Sequence, residues 1–305
     1  MNHSEINRRS MLQGLAVLGG GLMGAAQAQT AQTARTAWPG KPVRVVVPFN
    51  AGGATDIIAR TVGEALSQRI GQPVVIDNKG GAAGILGTDA VAKAAPDGHT
   101  LLVSLSTSML INQFLYTKLP YDPQKDLALV SQIAAAPVTL VVHPSVGAND
   151  MKELLAYARA NKGKLSYGSW GTGSYAHLAG AYMSKTTGSD MTHSAYKGEA
   201  PMIQDLIGGQ LQFCFSSALN TKPFIEAGQL GDGALSPADA AVVDADRAVV
   251  AGHAPPSARV ALSQERIVGA GFLALMNSPD EFRRNYQRDM PVWKALVEAA
   301  DAKLD

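Results

Sequence analysis

Residues 43–60, VRVVVPFNAGGATDIIAR, decide how this chain folds. Val43 to Val47 are mostly β-branched and end at a proline, a pattern that predicts a short buried strand. The pair Gly52-Gly53 follows in a turn, where the absence of side chains lets the backbone approach a ligand closely. A helix is predicted to begin at Thr55 or Asp56, because apolar residues recur from there at helical spacing.

A strand, a glycine turn and a helix in direct succession predict a small anion site. Unpaired backbone N–H groups converge at the start of such a helix, where the helix dipole is positive. Neither GxxxxGK[ST] nor GxGxxG occurs in the stretch, so the expected anion is smaller than a nucleotide, such as a carboxylate. The alternative is a plain connection between a strand and a helix, without a ligand.

The chain continues this alternation. A strand is predicted at Val74–Ile76, a helix from Gly84 to about Ala94, and a third strand at Thr100–Val103. A βαβαβ order predicts a parallel sheet with helices on its faces. Ligands of such sheets bind beyond the carboxyl ends of the strands, so hydroxyls that follow the third strand become candidate ligand contacts. They are Ser104, Ser106 and Thr107, which alternatively cap the next helical segment.

The glycine pattern occurs a second time. A strand is predicted at Leu165–Tyr167, followed by the loop Gly168–Ser174 and a helix at Tyr175–Lys185. We expect the two glycine segments to be facing halves of one cleft, each supplying donors to one ligand.

Further elements complete the second half of the chain. Strands are predicted at Val138–Val142 and Leu211–Phe215, and helices at Met151–Ala160 and Glu199–Ile207. Near the C-terminus, Ser278-Pro279-Asp280-Glu281 is a capping box that begins a helix. Asp289-Met290-Pro291 is predicted to break that helix and to start another.

Composition excludes several classes of protein. The 305 residues include 26 basic and 25 acidic side chains, and this near-zero net charge argues against a binder of nucleic acids or anionic membranes, since both need a basic face. The single cysteine, Cys214, excludes an internal disulfide and a cysteine-based zinc site. It lies in an apolar run, where a buried hydrophobic role is expected.

No catalytic or metal-binding motif is evident. His177 lies three residues after Ser174, but GxSxG is absent and no histidines show the HExxH spacing. A role for His177 on the helix surface or in hydrogen bonding is therefore expected. We predict no enzymatic activity, no cofactor and no metal.

The N-terminus is predicted to be an export signal. Arg8-Arg9 precede an uncharged apolar run from Leu15 to Ala25, and Ala26-Gln27-Ala28 offers a signal-peptidase site. The run is too short for a stable membrane anchor. Residues 1–28 are thus expected to be a signal peptide of the twin-arginine or the Sec type, and 29–37 a linker. The mature chain is expected in the periplasm.

Five motifs in order resemble one known family. They are PFNAGGATDIIAR, VAKAAPDGHTLL, LYTKLPYDP, YGSWGTGSYAHLAG and YKGEAPMIQDLIGGQ. Together they resemble the Bug family, the periplasmic solute-binding proteins of tripartite tricarboxylate transporters. The resemblance implies an α/β periplasmic-binding-protein fold of type II, a venus flytrap with a hinge and an interdomain cleft. It implies a first domain of residues 38–133 with 259–305, and a second domain of residues 134–230.

The resemblance also implies a ligand and the residues that hold it. A small carboxylate would be bound mostly by backbone N–H groups and hydroxyls, and delivered by a monomer to membrane transporter subunits. The implied contacts are Phe49, Ala51, Gly52, Gly53, Thr55 and Asp56 with Ser104 and Thr107 from the first domain, and Ser169, Thr172 and Ser174 from the second. A sensory co-receptor for the same carboxylate, or an exported enzyme acting on organic acids, are the alternatives.

Residues 231–258 depart from the family pattern. They are rich in alanine, aspartate and glycine, which are poor strand formers, and contain only two strand-like pairs, Val242-Val243 and Val249-Val250. A local change of reading frame would produce such a composition, and a genuine loop variant is the alternative. We expect this segment, which should carry the return crossing to the first domain, to be the weak part of the molecule.

Overall fold

A computed structural model describes residues 38–136, 138–231, 246–252, 267–268, 272–302 and 304. The predicted signal peptide and linker lie outside the described residues. The strands are β1 (Val43–Val47), β2 (Val74–Asn78), β3 (Thr100–Ser104), β4 (Leu129–Ala136), β5 (Val138–Val142), β6 (Ser166–Ser169), β7 (Thr192–Ala195), β8 (Phe213–Ser217), β9 (Asp246–Gly252) and β10 (Leu273–Ala274). The helices are α1 (Ala54–Ile70), α2 (Ile85–Ala92), α3 (Asn112–Leu115), α4 (Met151–Ala160), α5 (Tyr175–Thr187), α6 (Glu199–Ile207), α7 (Ala218–Glu226) and α8 (Pro279–Ala300).

The first sheet has the strand order β10-β4-β9-β3-β1-β2. We call this sheet, together with helices α1, α2, α3 and α8, lobe 1. β1 pairs in parallel with β2 and β3, as the βαβαβ pattern predicts. α1 packs closely on this sheet because it carries Gly63 there: a Cβ on Gly63 would lie 3.0 Å from Ile76 Cδ1. The parallel core fixes the start of α1 beyond the carboxyl end of β1.

The second sheet has the strand order β5-β8-β6-β7. We call this sheet, together with helices α4 to α7, lobe 2. β6 pairs in parallel with β7 and β8, whereas β5 runs antiparallel to β8. Tyr167 of β6 stacks on Phe213 of β8 in its core, with ring centroids 5.6 Å apart. Cys214 is fully buried in β8, which confirms its hydrophobic role.

β9 comes from the unusual segment 231–258. It lies between β3 and β4 and runs antiparallel to both, so its backbone completes the sheet of lobe 1. Of the two strand-like pairs, Val249-Val250 lies in β9, and Val242-Val243 lies outside the described residues. Gly231 forms a bridge with Val142 at the edge of lobe 2. The expected weakness of the segment stays a prediction.

The predicted break at Asp289-Met290-Pro291 is wrong, because α8 continues through Pro291. The reason is packing. Phe282, Tyr286, Trp293 and Val297 share one face of the uninterrupted helix and are buried in the core of lobe 1. Each buried side chain of this kind contributes about 1.5–3 kcal/mol, which together outweighs the ~3 kcal/mol cost of an interior proline.

α8 also contacts lobe 2. Trp293 meets Tyr175 of α5 edge to face, with centroids 6.1 Å apart, and Lys185 Nζ donates to Ala299 O over 3.2 Å. Leu178 of α5 joins the same buried cluster. Across the part of the chain that the structure describes, none of the helices is both long and apolar enough to cross a membrane.

Candidate ligand-binding cleft

A cavity lies between the two lobes. It encloses about 410 Å³ of space, part of which is open to solvent. Most of its walls are apolar or aromatic, with a few polar groups. The lining residues are Phe49, Asn50, Gly53, Ala54, Thr55 and Leu105 from lobe 1, and Val138, Trp170, Gly198, Glu199 and Ser217 from lobe 2.

The start of α1 forms one wall of the cavity. Gly53 is the N-cap residue, and having no side chain it leaves the N–H groups of the first turn to other acceptors. Two of the N–H groups near this helix start have such acceptors. Gly52 N donates to Asp56 Oδ2 over 3.0 Å, and Ala54 N donates to Glu199 Oε2 over 3.1 Å. Two carboxylates of the chain itself therefore sit at the anion site that the sequence predicts.

Asp56 is used within the turn. Its buried carboxylate accepts hydrogen bonds from Gly52 N, Arg60 Nε and Asn78 Nδ2 at 2.9–3.0 Å. Burial alone would raise the pKa of Asp56, but the hydrogen bonds from Arg60, Gly52 and Asn78 outweigh burial and hold the pKa below its ordinary value. An ionised Asp56 thus fixes the shape of the glycine turn, and it does not line the cavity.

Glu199 was not among the predicted contacts. It is the first residue of α6, and its buried carboxylate crosses to lobe 1. Besides Ala54 N, it accepts from Ser217 N over 2.8 Å, from Ser217 Oγ over 3.0 Å and from Asn220 Nδ2 over 2.6 Å. An acidic residue in the first turn of a helix is explained locally by the helix dipole, so the sequence carried no signal for this role.

Three predicted contacts line the cavity: Phe49, Gly53 and Thr55. Ala51 and Gly52 are exposed at the tip of the turn. The hydroxyls of lobe 1 are buried instead: Ser104 Oγ lies 2.6 Å from Ser108 Oγ, and Thr107 Oγ1 has no partner among the described residues.

The predicted contacts in lobe 2 support their own loop. Ser169 Oγ donates to Gly171 O over 3.0 Å and lies 2.7 Å from His193 Nε2. Ser174 caps α5 by accepting from His177 N over 3.3 Å, and Thr172 is half-buried. Their role as ligand contacts stays a prediction.

Two stacked histidines lie beneath this loop. The rings of His177 and His193 have centroids 4.1 Å apart, and His193 also stacks on Tyr167. Gly173 N donates to His177 Nδ1 over 2.9 Å, which requires a neutral imidazole. Burial lowers the pKa of His177, and burial together with the charge of His177 lowers the pKa of His193 to about 3. The hydrogen-bonding role expected for His177 is confirmed, inside lobe 2 rather than at its surface.

The rims of the two lobes touch. Asn50 N donates to Lys197 O over 2.8 Å, and a Cβ on Gly171 would lie only 3.0 Å from Ala83 Cα. Gly198 approaches Asn50 equally closely, since its Cβ would lie 3.2 Å from Asn50 N. The glycines allow backbone-to-backbone contact, and the cleft is closed.

One donor beside the cavity has no partner. Trp170 is buried and lines the cavity, and its Nε1–H meets no acceptor among the described residues. An unpaired buried donor costs about 1–3 kcal/mol, so an acceptor brought by a ligand would recover that free energy.

Sequence comparisons identify relatives. Residues 58–284 match the family described as the tripartite tricarboxylate transporter family receptor, TctC. A UPF0065 protein from the tcbD-tcbE intergenic region of Pseudomonas sp. is 37% identical over 73% of this chain and 65% of its own length. Protein BugT of Bordetella pertussis is 38% identical over 56% of this chain and 53% of its own length. The matches to these two curated relatives thus span less than two thirds of the relatives' length.

Solved structures agree with the sequence matches. A periplasmic transporter is 33% identical with a TM-score of 0.81, covering 88% of this chain and all of that chain. A Rhodopseudomonas palustris protein solved with adipate is 28% identical with a TM-score of 0.80, over 87% of this chain and 98% of that one. MatC from the same species, with bound malate, is 26% identical with a TM-score of 0.77, and the match covers 85% of this chain and 100% of that chain.

These likenesses confirm the two-lobed fold and the resemblance to the Bug proteins that the five motifs indicate. The family match extends over most of the residues described in both lobes, from α1 to α8. The chain belongs to the TctC family, the receptors of tripartite tricarboxylate transporters.

Proposed function

We propose that this chain is a periplasmic receptor that captures a small carboxylate between its lobes and delivers it to the membrane subunits of a tripartite tricarboxylate transporter. The observation that carries the proposal is the start of α1. Ala54 lines the cavity there, and its N–H already binds a carboxylate, that of Glu199. The related proteins solved with adipate and malate support the same ligand chemistry.

The ligand is held mainly without basic side chains. Neither lysine nor arginine lines the cavity, whose polar groups are amides, hydroxyls and one carboxylate. We infer that Thr55 and the start of α1 bind the ligand carboxylate, that Trp170 donates to a second acceptor, and that the apolar walls hold the carbon chain. Ser169 and Ser174 then act indirectly, by fixing the loop that closes over the ligand.

The energetics require both lobes. A charge-assisted hydrogen bond contributes about 1.5–3 kcal/mol. Micromolar binding needs about 8 kcal/mol after an association cost of at least ~4 kcal/mol. Two or three bonds from one helix start fall short of this sum, so closure of the second lobe supplies the difference by adding contacts and excluding water.

The domain boundaries follow from the same division. We propose that the lobes are the two domains, that the chain first crosses between β4 and β5, and that it is back in lobe 1 at β9. We further propose that the mature receptor acts as a monomer, after removal of residues 1–28.

A panel of carboxylates tests the function. Thermal shift of the mature protein finds the binders, and calorimetry then compares each acid with its neutral amide. We expect the acid to bind at least tenfold more tightly, because only the ionised form suits the helix start. Equal affinity for acid and amide, or no binding across the panel, would refute the proposal.

A further inference from the structure

We propose that Glu199 is an internal ligand: in the empty cleft its carboxylate occupies the donor at the start of α1, holds the lobes together, and must be displaced by an incoming carboxylate. This inference rests on the proposed function for the identity of the competitor. The other part, that Glu199 holds the two lobes together, rests only on the hydrogen bond between Glu199 and Ala54.

The contact has the chemistry of ligand binding. Glu199 Oε2 lies 3.1 Å from Ala54 N, at the first helical residue after an N-cap that has no side chain. A carboxylate at this position satisfies an N–H group that the helix leaves unpaired and complements the positive end of the dipole. An external carboxylate would use the same donor, so the two compete.

Breaking the hydrogen bond between Glu199 and Ala54 costs lobe 2 little free energy. Three of the four hydrogen bonds to Glu199 come from Ser217 and Asn220, which belong to the same lobe as Glu199 itself. When the lobes separate, Glu199 keeps these three donors and no buried charge is left unpaired. Of these four bonds, the one to Ala54 is the one that crosses the cleft, so Glu199 can act as a reversible latch between the lobes.

The surroundings of Glu199 favour a role in closure. Its neighbour Gly198 meets Asn50 closely, and Lys197 O accepts from Asn50 N over 2.8 Å. The start of α6 and the glycine turn of lobe 1 therefore meet at consecutive residues, where Lys197 contributes its backbone carbonyl and Glu199 its carboxylate. A ligand carboxylate entering between them is repelled by Glu199 unless that side chain withdraws.

The test uses two variants that weaken one interaction from opposite sides. Glu199→Gln removes the charge and keeps the shape, which leaves Ala54 N a neutral and weaker acceptor. Ala54→Pro removes the donor, and proline is well tolerated at the first helical position, where the preceding Gly53 already has extended φ and ψ. Glu226→Ala is the control, since Glu226 is an exposed glutamate that pairs with Lys222 on its own helix.

The first readout is the distance between the lobes in the empty mature protein. Spin labels on cysteines introduced at the exposed positions Gln68 and Lys152 report it, and the buried Cys214 stays unlabelled. We expect both variants to lengthen and broaden the distance distribution beyond that of the wild type, and the control to match the wild type. The double variant should open no further than Ala54→Pro alone, because that variant already removes the donor on which the Glu199 side chain acts. If both single variants stay as closed as the wild type, the latch is refuted.

The second readout is the affinity for butyrate, with butyramide as its neutral partner. Glu199→Gln should bind butyrate about tenfold more tightly, because the competitor is weakened. Ala54→Pro should bind it about tenfold more weakly, because the shared donor is gone. Affinity that moves in the same direction in both variants refutes competition. Failure of the wild type to bind any carboxylate refutes the proposed function, whereas the distance measurement still decides whether Glu199 closes the cleft.

Discussion

The two glycine segments of this chain share one pattern and differ in what their donors do. In lobe 1 the N-cap of α1 is Gly53, which has no side chain, and Ala54 N reaches across the cleft to a carboxylate. In lobe 2 the N-cap of α5 is Ser174, whose hydroxyl binds His177 N, and His177 in turn binds Gly173 N. The first segment offers donors outward, whereas the second satisfies its own donors.

The difference shows that a glycine loop before a helix does not by itself define an anion site. The N-cap residue decides it, because a serine competes with any external acceptor for the N–H groups of the first turn. We infer that lobe 1 supplies the anion-binding groups and that the loop of lobe 2 is a rigid wall that closes on them.

The largest effect on ligand affinity is expected where the loop Gly168–Ser174 of lobe 2 meets lobe 1. Gly171→Ala places a Cβ 3.0 Å from Ala83 Cα, at a φ of +145° that alanine rarely adopts. The closed state becomes less populated, so ligand affinity should fall roughly thirtyfold, about 2 kcal/mol. Calorimetry with the tightest-binding ligand of the carboxylate panel measures this loss of affinity. Gly163→Ala is the matched control, because it also has a positive φ but no neighbour within 4 Å.

Replacing the glycine N-cap of α1 with a serine should make the first glycine segment satisfy its own N–H groups, as the second does. In Gly53→Ser the new Cβ meets only ordinary contacts at 3.8 Å, and its hydroxyl can bind the first turn of α1. Carboxylate affinity should fall about tenfold, ~1.4 kcal/mol, while stability to urea rises by a few tenths of a kcal/mol. Unchanged affinity would mean that the N–H groups of this turn do not bind the ligand.

The reverse change in lobe 2 should affect stability more than binding. Ser174→Ala removes the N-cap of α5 and should lower the free energy of unfolding by about 1 kcal/mol in urea titrations. Calorimetry should show affinity within threefold of the wild type. A large loss of affinity with little loss of stability would instead make Ser174 a direct ligand contact.

The smallest effect concerns pH and the histidines beneath the second segment. His193 has a pKa lowered to about 3 in the folded protein by burial, with the charge of His177 adding to it, so the unfolded chain binds more protons below its ordinary value of ~6.5. Stability should therefore fall as pH drops below ~6.5, by less than ~1 kcal/mol at pH 6. Urea unfolding between pH 8 and pH 5.5 measures the loss. His193→Gln should flatten this dependence, and an unchanged slope in that variant would contradict the assignment to His193.

Much of the fold was predictable because its signals are local. The helix Met151–Ala160 with its Asp150 cap, the strand Val138–Val142 and the capping box at Ser278 lie where the sequence predicts them. The candidate site was predictable in part: the α1 start, Phe49 and Thr55 do line the cavity. Asp56 was predicted to meet the ligand, yet in the structure its hydrogen bonds hold the glycine turn, because Arg60 and Asn78 lie within reach.

By itself, the sequence determined most of the elements, the two glycine segments and the family. Strand and helix patterns, caps and motifs depend on residues a few positions apart, and these can be evaluated without coordinates. Tertiary structure alone decided that α8 runs through Pro291, that β9 lies between β3 and β4, and that Glu199 fills the anion site. Each of these depends on partners far along the chain, 145 residues apart for Ala54 and Glu199. Such contacts form only when packing brings the lobes together, and their free energy then outweighs local preference.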